Sequence, residues 1–194
     1  MRGLEQIPWL YDVSMNLMEK TGMAEWRNWL AQGSLGRTLD LGCGTGRNLA
    51  LMPPGVRAVG IDPEVASLER ARKRAPNAML VRASAHALPF RDGAFDTVLC
   101  GLVLCSIPNA DQGLSEASRV LANHGQLRAL EHVRGNGAMG WVQDQILPAW
   151  KAVMGGCHCN RQTETAVESA GFAIQPDGRR SEGVMRRFAA KKKR

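Results

Sequence analysis

The residues best placed to do chemistry lie in one short run, Asp40-Leu41-Gly42-Cys43-Gly44-Thr45-Gly46, where glycines recur at every second position after an apolar stretch. Glycine tolerates φ > 0 freely and brings backbone N–H groups up to a ligand with no Cβ between them. A second acid, Asp62, closes the next apolar stretch, Val56-Arg57-Ala58-Val59-Gly60-Ile61, and is followed by Pro63. In a parallel βαβ unit, a carboxylate at that strand tip faces the vicinal hydroxyls of a ribose lying across the first glycine turn. These residues therefore point to nucleoside binding.

Two ligand classes fit such a unit: dinucleotides and S-adenosylmethionine (SAM). A dinucleotide site needs Gly-x-Gly-x-x-Gly/Ala. Counted from Gly42, the sixth position is Arg47, whose bulk opposes the close helix-to-strand contact that the third glycine serves. Asp40, two residues before the first glycine, suits the ammonium and sulfonium of SAM better than a pyrophosphate. SAM is the favoured cofactor, with S-adenosylhomocysteine as its product.

Stepping outward to the elements that must hold these residues, apolar periodicity alternates between strand and helix along the chain. Strands are expected at 37–41, 56–61, 78–82, 95–100 and 126–133, with a helix directly after the glycine run. Further helices are expected at 63–74 with Pro63 in the first helical position, at 111–122 capped by Asn109 or Asp111, at 139–154, and at 162–170 ended by Gly171. Closing strands at 172–175 and 184–190 would form a hairpin around Pro176-Asp177-Gly178. The expected fold class is α/β: a Rossmann-like, seven-stranded, mostly parallel sheet with helices on both faces, an antiparallel terminal hairpin and an N-terminal helical prefix. One domain over 1–194 is expected, with the prefix at 1–32 and the SAM-binding core at 33–194.

In the prefix, Leu10, Val13 and Leu17 share one helical face with Tyr11, Met15 and Met18 beside them, and Met23, Trp26, Trp29 and Leu30 continue the apolar surface in a second helix. Three readings stand: a lid over the pocket with an adaptable apolar wall, packing on the sheet, or peripheral contact with a membrane surface.

Composition narrows the field. The chain has 194 residues, 44% of them hydrophobic, which is enough for a full core. Its net charge of +7 gathers at Arg70, Arg72, Lys73 and Arg74 and at Lys191-Lys192-Lys193-Arg194. A basic face attracts nucleic acid or anionic lipid, but a solubilising helix face and a frayed tail account for it more simply. Only 5% of residues are aromatic, which weakens base stacking. Cys105-Ser106-Ile107-Pro108-Asn109 also lacks the Asn/Asp-Pro-Pro-aromatic pattern of base-amine methylation, so nucleic acid is disfavoured as a partner. No apolar run approaches about 18 residues and no cleavable leader is visible, so a cytoplasmic location is expected. Five cysteines, an odd number, fit reduced thiols. Cys100 and Cys105 read as buried packing residues, with Cys105 a candidate for the pocket wall.

With LDLGCGTG at 39–46, GIDP at 60–63, ALPF at 87–90 and FDTV at 95–98, the chain resembles the class I SAM-dependent methyltransferases, in their small-molecule branch. FDTVLCGLVLCSIPN, ALEHV and LPAWKAVMGGCHCNRQT resemble more narrowly the family that contains the alkyl-thiol methyltransferases of animal membranes. The hydrophobic anchor with which those animal relatives begin is not seen here, so their membrane residence is not carried over.

The resemblance implies that Asp40, Gly42 and Gly44 surround the amino acid portion of SAM. It implies that Asp62 takes the ribose hydroxyls and that Pro63 starts the helix beneath the adenine. Cys100 and Gly101 match the backbone position that receives the SAM ammonium. Two departures stand out. Where the family carries an acid for the adenine amino group, this chain has Ser84-Ala85-His86, leaving a serine hydroxyl and the Ala85 backbone. Where the family has a Pro-Gly turn, it has Ala122-Asn123-His124-Gly125, with His124 an exposed turn residue.

The expected activity is methyl transfer to a small, apolar acceptor, with thiol sulfur favoured. Such chemistry needs collinear positioning and one group to take a proton. His158, in a glycine-rich turn, leads as base or substrate ligand. His132 follows, at the carboxyl end of the fifth strand, where ligands of open α/β sheets gather. Tyr11 is the third candidate, as a residue closing over the cofactor. Cys157-His158-Cys159 lacks zinc-site spacing, and no metal is expected. The rival activities are phospholipid or small-amine N-methylation and, in another class, non-catalytic SAM binding by an interaction protein. Oligomeric state is not legible.

Overall fold

β-branched and apolar residues run almost unbroken through the strands flanking the glycine run, the pattern of strands covered on both faces. A computed structural model describes residues 7–154 and 156–193. The first six residues of the expected prefix, Gly155 and Arg194 lie outside the described residues. The strands are β1 Arg37–Leu41, β2 Arg57–Asp62, β3 Met79–Arg82, β4 Phe95–Gly101, β5 Leu121–His132, β6 Phe172–Ile174, β7 Arg180–Glu182 and β8 Met185–Lys192. They form one sheet of order β3-β2-β1-β4-β5-β8-β6, with β7 paired to β8. β1 to β5 are mutually parallel, while β8 runs antiparallel to β5, β6 and β7. Strand order reverses at β1, which lies between β2 and β4, and ligand crevices of open α/β sheets form outside the carboxyl ends at such a point.

The helices are α1 Pro8–Met18 and α2 Ala24–Gln32, joined by a π-helical segment Glu19–Met23, then α3 Val65–Arg74, α4 Ala110–Val120, α5 Gly137–Met154 and α6 Thr163–Ser169. The sheet core gathers Leu39, Leu41, Val98, Leu114, Leu127 and Phe188. Trp26 and Leu30 of α2 pack on Leu99 and Leu130 from the other face. Asn109 caps α4 by accepting from Gln112 N at 3.0 Å. Among the described residues no helix is long and apolar enough to cross a membrane.

Five local expectations are corrected. No α-helix follows the glycine run; turns lead to a single 3₁₀ turn, Leu49–Leu51. Pro53 explains this, because it drives the preceding Met52 out of the α region, to ψ 144°. Pro63 does not open α3: Glu64 is extended, the helix begins at Val65, and Asp62 Oδ1 accepts from Glu64 N at 2.9 Å. β5 starts at Leu121, directly after α4, so residues 122–125 belong to an irregular stretch of strand. A Cβ at Gly125 would stand 2.9 Å from Asp96 O, which is why that stretch needs glycine.

The closing strands pair as expected, but the segment between them adds β7, which turns back onto β8 at Gly183, φ +52°. In α1 the inward face is not that of Leu10, Val13 and Leu17. Val13 and Leu17 are 58% and 69% exposed, whereas Asp12 and Met15 are buried. Ion pairs, not apolar burial, seat this helix.

Candidate functional site

Glycines 42, 44 and 46 all adopt φ > 0 (+64°, +52° and +80°), and each does so for a different reason. A Cβ on Gly42 would strike Val103 Cγ2, and one on Gly46 would come within 2.9 Å of Ala71 Cα in α3. A Cβ on Gly44 would meet nothing, because Gly44 faces a cavity of about 560 Å³. This cavity lies outside the carboxyl ends of β1, β2 and β4, at the point where strand order reverses.

Of the residues singled out for the cofactor, Gly42, Gly44, Asp62, Pro63, Ser84, Ala85 and Gly101 line the cavity. Asp62 Oδ2 accepts from Gly44 N at 3.0 Å, so the strand-tip acid and the glycine loop brace each other. Burial raises the Asp62 carboxyl above its ordinary range. Ser84 Oγ accepts from His86 N at 3.2 Å and lies 3.3 Å from His86 Nδ1. His86 itself forms part of the wall.

Asp40 and Cys100 sit behind the wall, each without exposed surface. Asp40 Oδ1 accepts from Asn48 Nδ2 at 3.0 Å, and Asn48 Oδ1 accepts from Arg27 Nη1 at 2.7 Å. Asp40 Oδ2 has no partner among the described residues, and burial pushes this carboxyl up to about 7. The Cys100 side chain belongs to the core, and only its neighbour Gly101 reaches the cavity.

Among the catalytic candidates, Tyr11 and His158 line the cavity, Tyr11 from α1 and His158 from the turn between α5 and α6. His158 Nδ1 is buried with no hydrogen-bond partner among the described residues. Burial, with Arg161 and Lys151 nearby, lowers its pKa below the ordinary 6.5, so the ring is neutral at pH 7. The turn is held from behind: His158 N donates to Cys105 O at 2.7 Å, and Arg161 Nη1 donates to the carbonyls of Leu104 and Ile107. His132 is not in the wall; its ring meets Trp150 edge-on at 5.8 Å. Cys157, His158 and Cys159 point to different places, with Cys159 Sγ donating to Gln143 O at 3.8 Å. Among the described residues no cluster of three or more His, Cys, Asp or Glu side chains is arranged to hold a metal ion.

Four contributors were not singled out from sequence. Glu131, fully buried in β5, accepts from the backbone N–H groups of Val103, Leu104 and Cys105 at 3.0, 2.9 and 3.1 Å. Its place at the carboxyl end of the fifth strand was the available signal. Leu102, which lines the cavity, is the non-glycine residue with positive φ among those described, at +59°, the strained backbone that gathers at binding sites. Lys151 and His86 also line the cavity, and nothing in their local sequence marks them.

The family described as Methyltransferase domain matches residues 39–129. Human thiol S-methyltransferase TMT1A is 35% identical over 144 residues, which is 70% of this chain and 59% of that protein. The chain thus spans less than two thirds of the thiol S-methyltransferases that it matches. Demethylmenaquinone methyltransferase from Thermotoga maritima is 30% identical over 182 residues, covering 86% of this chain and 79% of that protein. The chain belongs to the SAM-dependent methyltransferases.

A solved SAM-dependent methyltransferase of Thermotoga maritima superposes on this methyltransferase with TM-score 0.73, covering 98% of this chain and 99% of that one at 21% identity, which establishes the shared fold. SAM is the cofactor of the family, and this methyltransferase suits it. Gly44 leaves open space where a side chain would stand, and an acid ends the next strand beside it.

Proposed function

We propose that this methyltransferase transfers the methyl group of SAM to a small, apolar thiol. One observation carries the reading: a single cavity joins the glycine loop and Asp62 to an apolar wall of Leu102, Val103, Ile107 and Pro108, with His158 in the same lining. When bound, SAM supplies an electrophilic methyl group on a sulfonium. Gly42 and Gly44 would hold its amino acid end, with Asp40 acting from behind the wall through its charge, Asp62 its ribose, and Pro63, Ser84 and Ala85 the adenine side. Tyr11 would close over it from α1.

The rest is the work of this chain's acceptor side. Neutral His158, in the cavity wall, accepts the thiol proton, and the Lys151 ammonium in the same wall favours the thiolate that results. The apolar wall keeps water from the sulfur, and fixing the reacting pair contributes roughly 7–11 kcal/mol by orientation. Glu131 holds the 103–105 backbone, which keeps the apolar wall in shape. The thiol S-methyltransferase relatives, at 34–35% identity, support sulfur as the acceptor atom.

The demethylmenaquinone methyltransferase relatives favour a second reading, carbon methylation of an apolar quinol. Labelled-methyl transfer to a panel of alkyl and aryl thiols, quinols, small amines and phospholipid vesicles separates these. Turnover greatest with apolar thiols supports the first reading; preference for quinols, amines or headgroups replaces it. SAM binding without transfer to any acceptor makes the chain a non-catalytic SAM binder.

A further inference from the structure

Ser84 and His86 stand on the loop after β3, and both line the cavity on the side proposed for the adenine of SAM. Ala87 N donates to Ser84 O at 3.2 Å, which turns the loop back on itself and brings the two side chains together. Ser84 Oγ accepts from His86 N at 3.2 Å and lies 3.3 Å from His86 Nδ1. The other ring nitrogen reaches the start of α4. His86 Nε2 is 3.1 Å from Asn109 O and 3.3 Å from Asn109 N, and Gln112 Nε2 donates to His86 O at 3.1 Å. Asn109 is the residue that caps α4, so the imidazole bridges a helix terminus and a hydroxyl of the cavity wall.

A neutral imidazole carries one ring proton, and a hydroxyl offers one donor and two acceptor lone pairs. With the proton on Nε2, the ring donates to Asn109 O, and Nδ1 accepts from the Ser84 hydroxyl. Ser84 Oγ then receives His86 N on one lone pair and keeps the second for a donor in the cavity. With the proton on Nδ1, Nε2 instead accepts from Asn109 N. Both Ser84 lone pairs are then filled, by His86 N and by the Nδ1–H, and the hydroxyl can only donate. The exocyclic amino group of adenine needs an acceptor, whereas the carbonyl of a 6-oxopurine needs a donor. The two tautomers therefore suit opposite bases.

We propose that His86 is a positioning residue that selects the purine of the cofactor: by donating from Nε2 to Asn109 O, it holds Ser84 as the acceptor for the adenine amino group. A carboxylate in this place would accept whatever its neighbours did. A hydroxyl accepts reliably only when its own proton has another partner, and His86 Nδ1 is that partner. The contact of Nε2 with the Asn109 carbonyl is also the shorter of its two contacts. The inference rests on the reading of this end of the cavity as the adenine side, and it is independent of the acceptor.

The test is calorimetry of the full chain with S-adenosylhomocysteine and with its 6-oxo analogue, S-inosylhomocysteine. The wild type should favour the adenosyl ligand by about tenfold or more, the loss expected where a polar group at the site is left unpaired by the wrong base. In Ser84→Ala and in His86→Ala that preference should fall to within about threefold. His86→Asn, whose amide oxygen can take the Ser84 proton, should regain most of it. In nitrogen NMR with isotope-labelled histidine, the His86 ring of the adenosyl complex, assigned by its loss in either His86 variant, should carry its proton on Nε2. An unchanged preference in Ser84→Ala or His86→Ala, no recovery in His86→Asn, or a proton on Nδ1 in the complex overturns the proposal and leaves SAM in the cavity. Failure of the wild type to bind either ligand overturns the adenine placement as well. Ser84 is exposed, so Ser84→Ala keeps the comparison of bases decisive even where a His86 variant folds poorly.

Discussion

Arg47 Nε donates to Asp12 Oδ1 at 3.1 Å, so the residue that follows the glycine loop reaches out of the sheet and holds the helix bordering the cavity. Asp12 also accepts from Thr45 Oγ1 at 2.8 Å and pairs with Arg70 and Arg74, while Arg47 pairs with Glu19. Asp12→Ala leaves a nearly buried guanidinium half paired, at a cost of about 2–4 kcal/mol. The denaturation midpoint should fall accordingly, and α1 should become open to proteolysis. Burial pushes the Asp12 carboxyl up, but its bonds to Thr45, Arg74 and Arg47 outweigh this and set it below the ordinary 3.8. A depressed carboxyl contributes stability that is complete above its ordinary pKa and lost as pH falls through the folded value. Acid below about pH 3.8 should therefore release α1 in the wild type, and this step should be absent from Asp12→Ala.

Gly44 and Gly46 predict opposite phenotypes. Both have positive φ, so alanine at either is strained by about 1–2 kcal/mol. At Gly46 the new Cβ also meets the α3 backbone 2.9 Å away. Gly46→Ala should lose about 3 kcal/mol or more in denaturant unfolding. At Gly44 the Cβ enters the cavity and touches no protein atom, so Gly44→Ala should keep most of its stability and weaken SAM binding by about tenfold or more. Equal loss of stability in both, with SAM affinity intact in Gly44→Ala, would remove Gly44 from the cofactor site.

Asp62→Ala should weaken SAM binding at least about tenfold in calorimetry, the loss expected from a charge-assisted hydrogen bond. Asp62→Asn is the sharper probe. An amide oxygen can still brace Gly44 N, but the site loses its negative charge, so the loop should remain ordered while affinity falls. Unchanged affinity in both variants excludes Asp62 as a ribose ligand.

The alternation of strands and helices and the cavity's position were legible because parallel buried strands and glycine turns leave local traces: the Leu39–Leu41 and Val98–Cys100 runs, and Asp62 at a strand tip. The prefix was not legible in the same way. Its apolar stripe pointed inward for Val13 and Leu17, but the helix is seated by Asp12 on Arg47, a contact between distant residues that periodicity does not register. Glu131 looked like one of two charges, with Arg128, in its strand; its role depends on where residues 103–105 place their N–H groups. Pro53 did carry a readable signal against a helix after the glycine loop, since the residue before a proline avoids the α region. His132 shows the limit of placing a residue by strand end alone: its ring packs on Trp150 and takes no part in the cavity wall.

His158 is the side chain whose loss should separate chemistry from binding. It lines the cavity, and its buried Nδ1 has no protein partner among the described residues. His158→Ala should lower turnover of a thiol acceptor by about 10²-fold or more, the range for a positioned general base, with SAM affinity changed by less than about threefold. The pH profile supplies the sign. Burial, then Arg161 and Lys151, depress the ring below 6.5, so the base form dominates at pH 7 and activity should decline only as pH falls below that ordinary value. His158→Gln keeps a polar side chain but cannot take the proton, so it should lose the acid limb along with the rate. An acceptor thiol supplied as a thiolate, at pH above its own pKa of about 8.5–10, should regain most of the lost turnover in either variant. A variant that keeps the wild-type rate and profile would show that the thiol proton leaves by another route, through solvent or a neighbouring group.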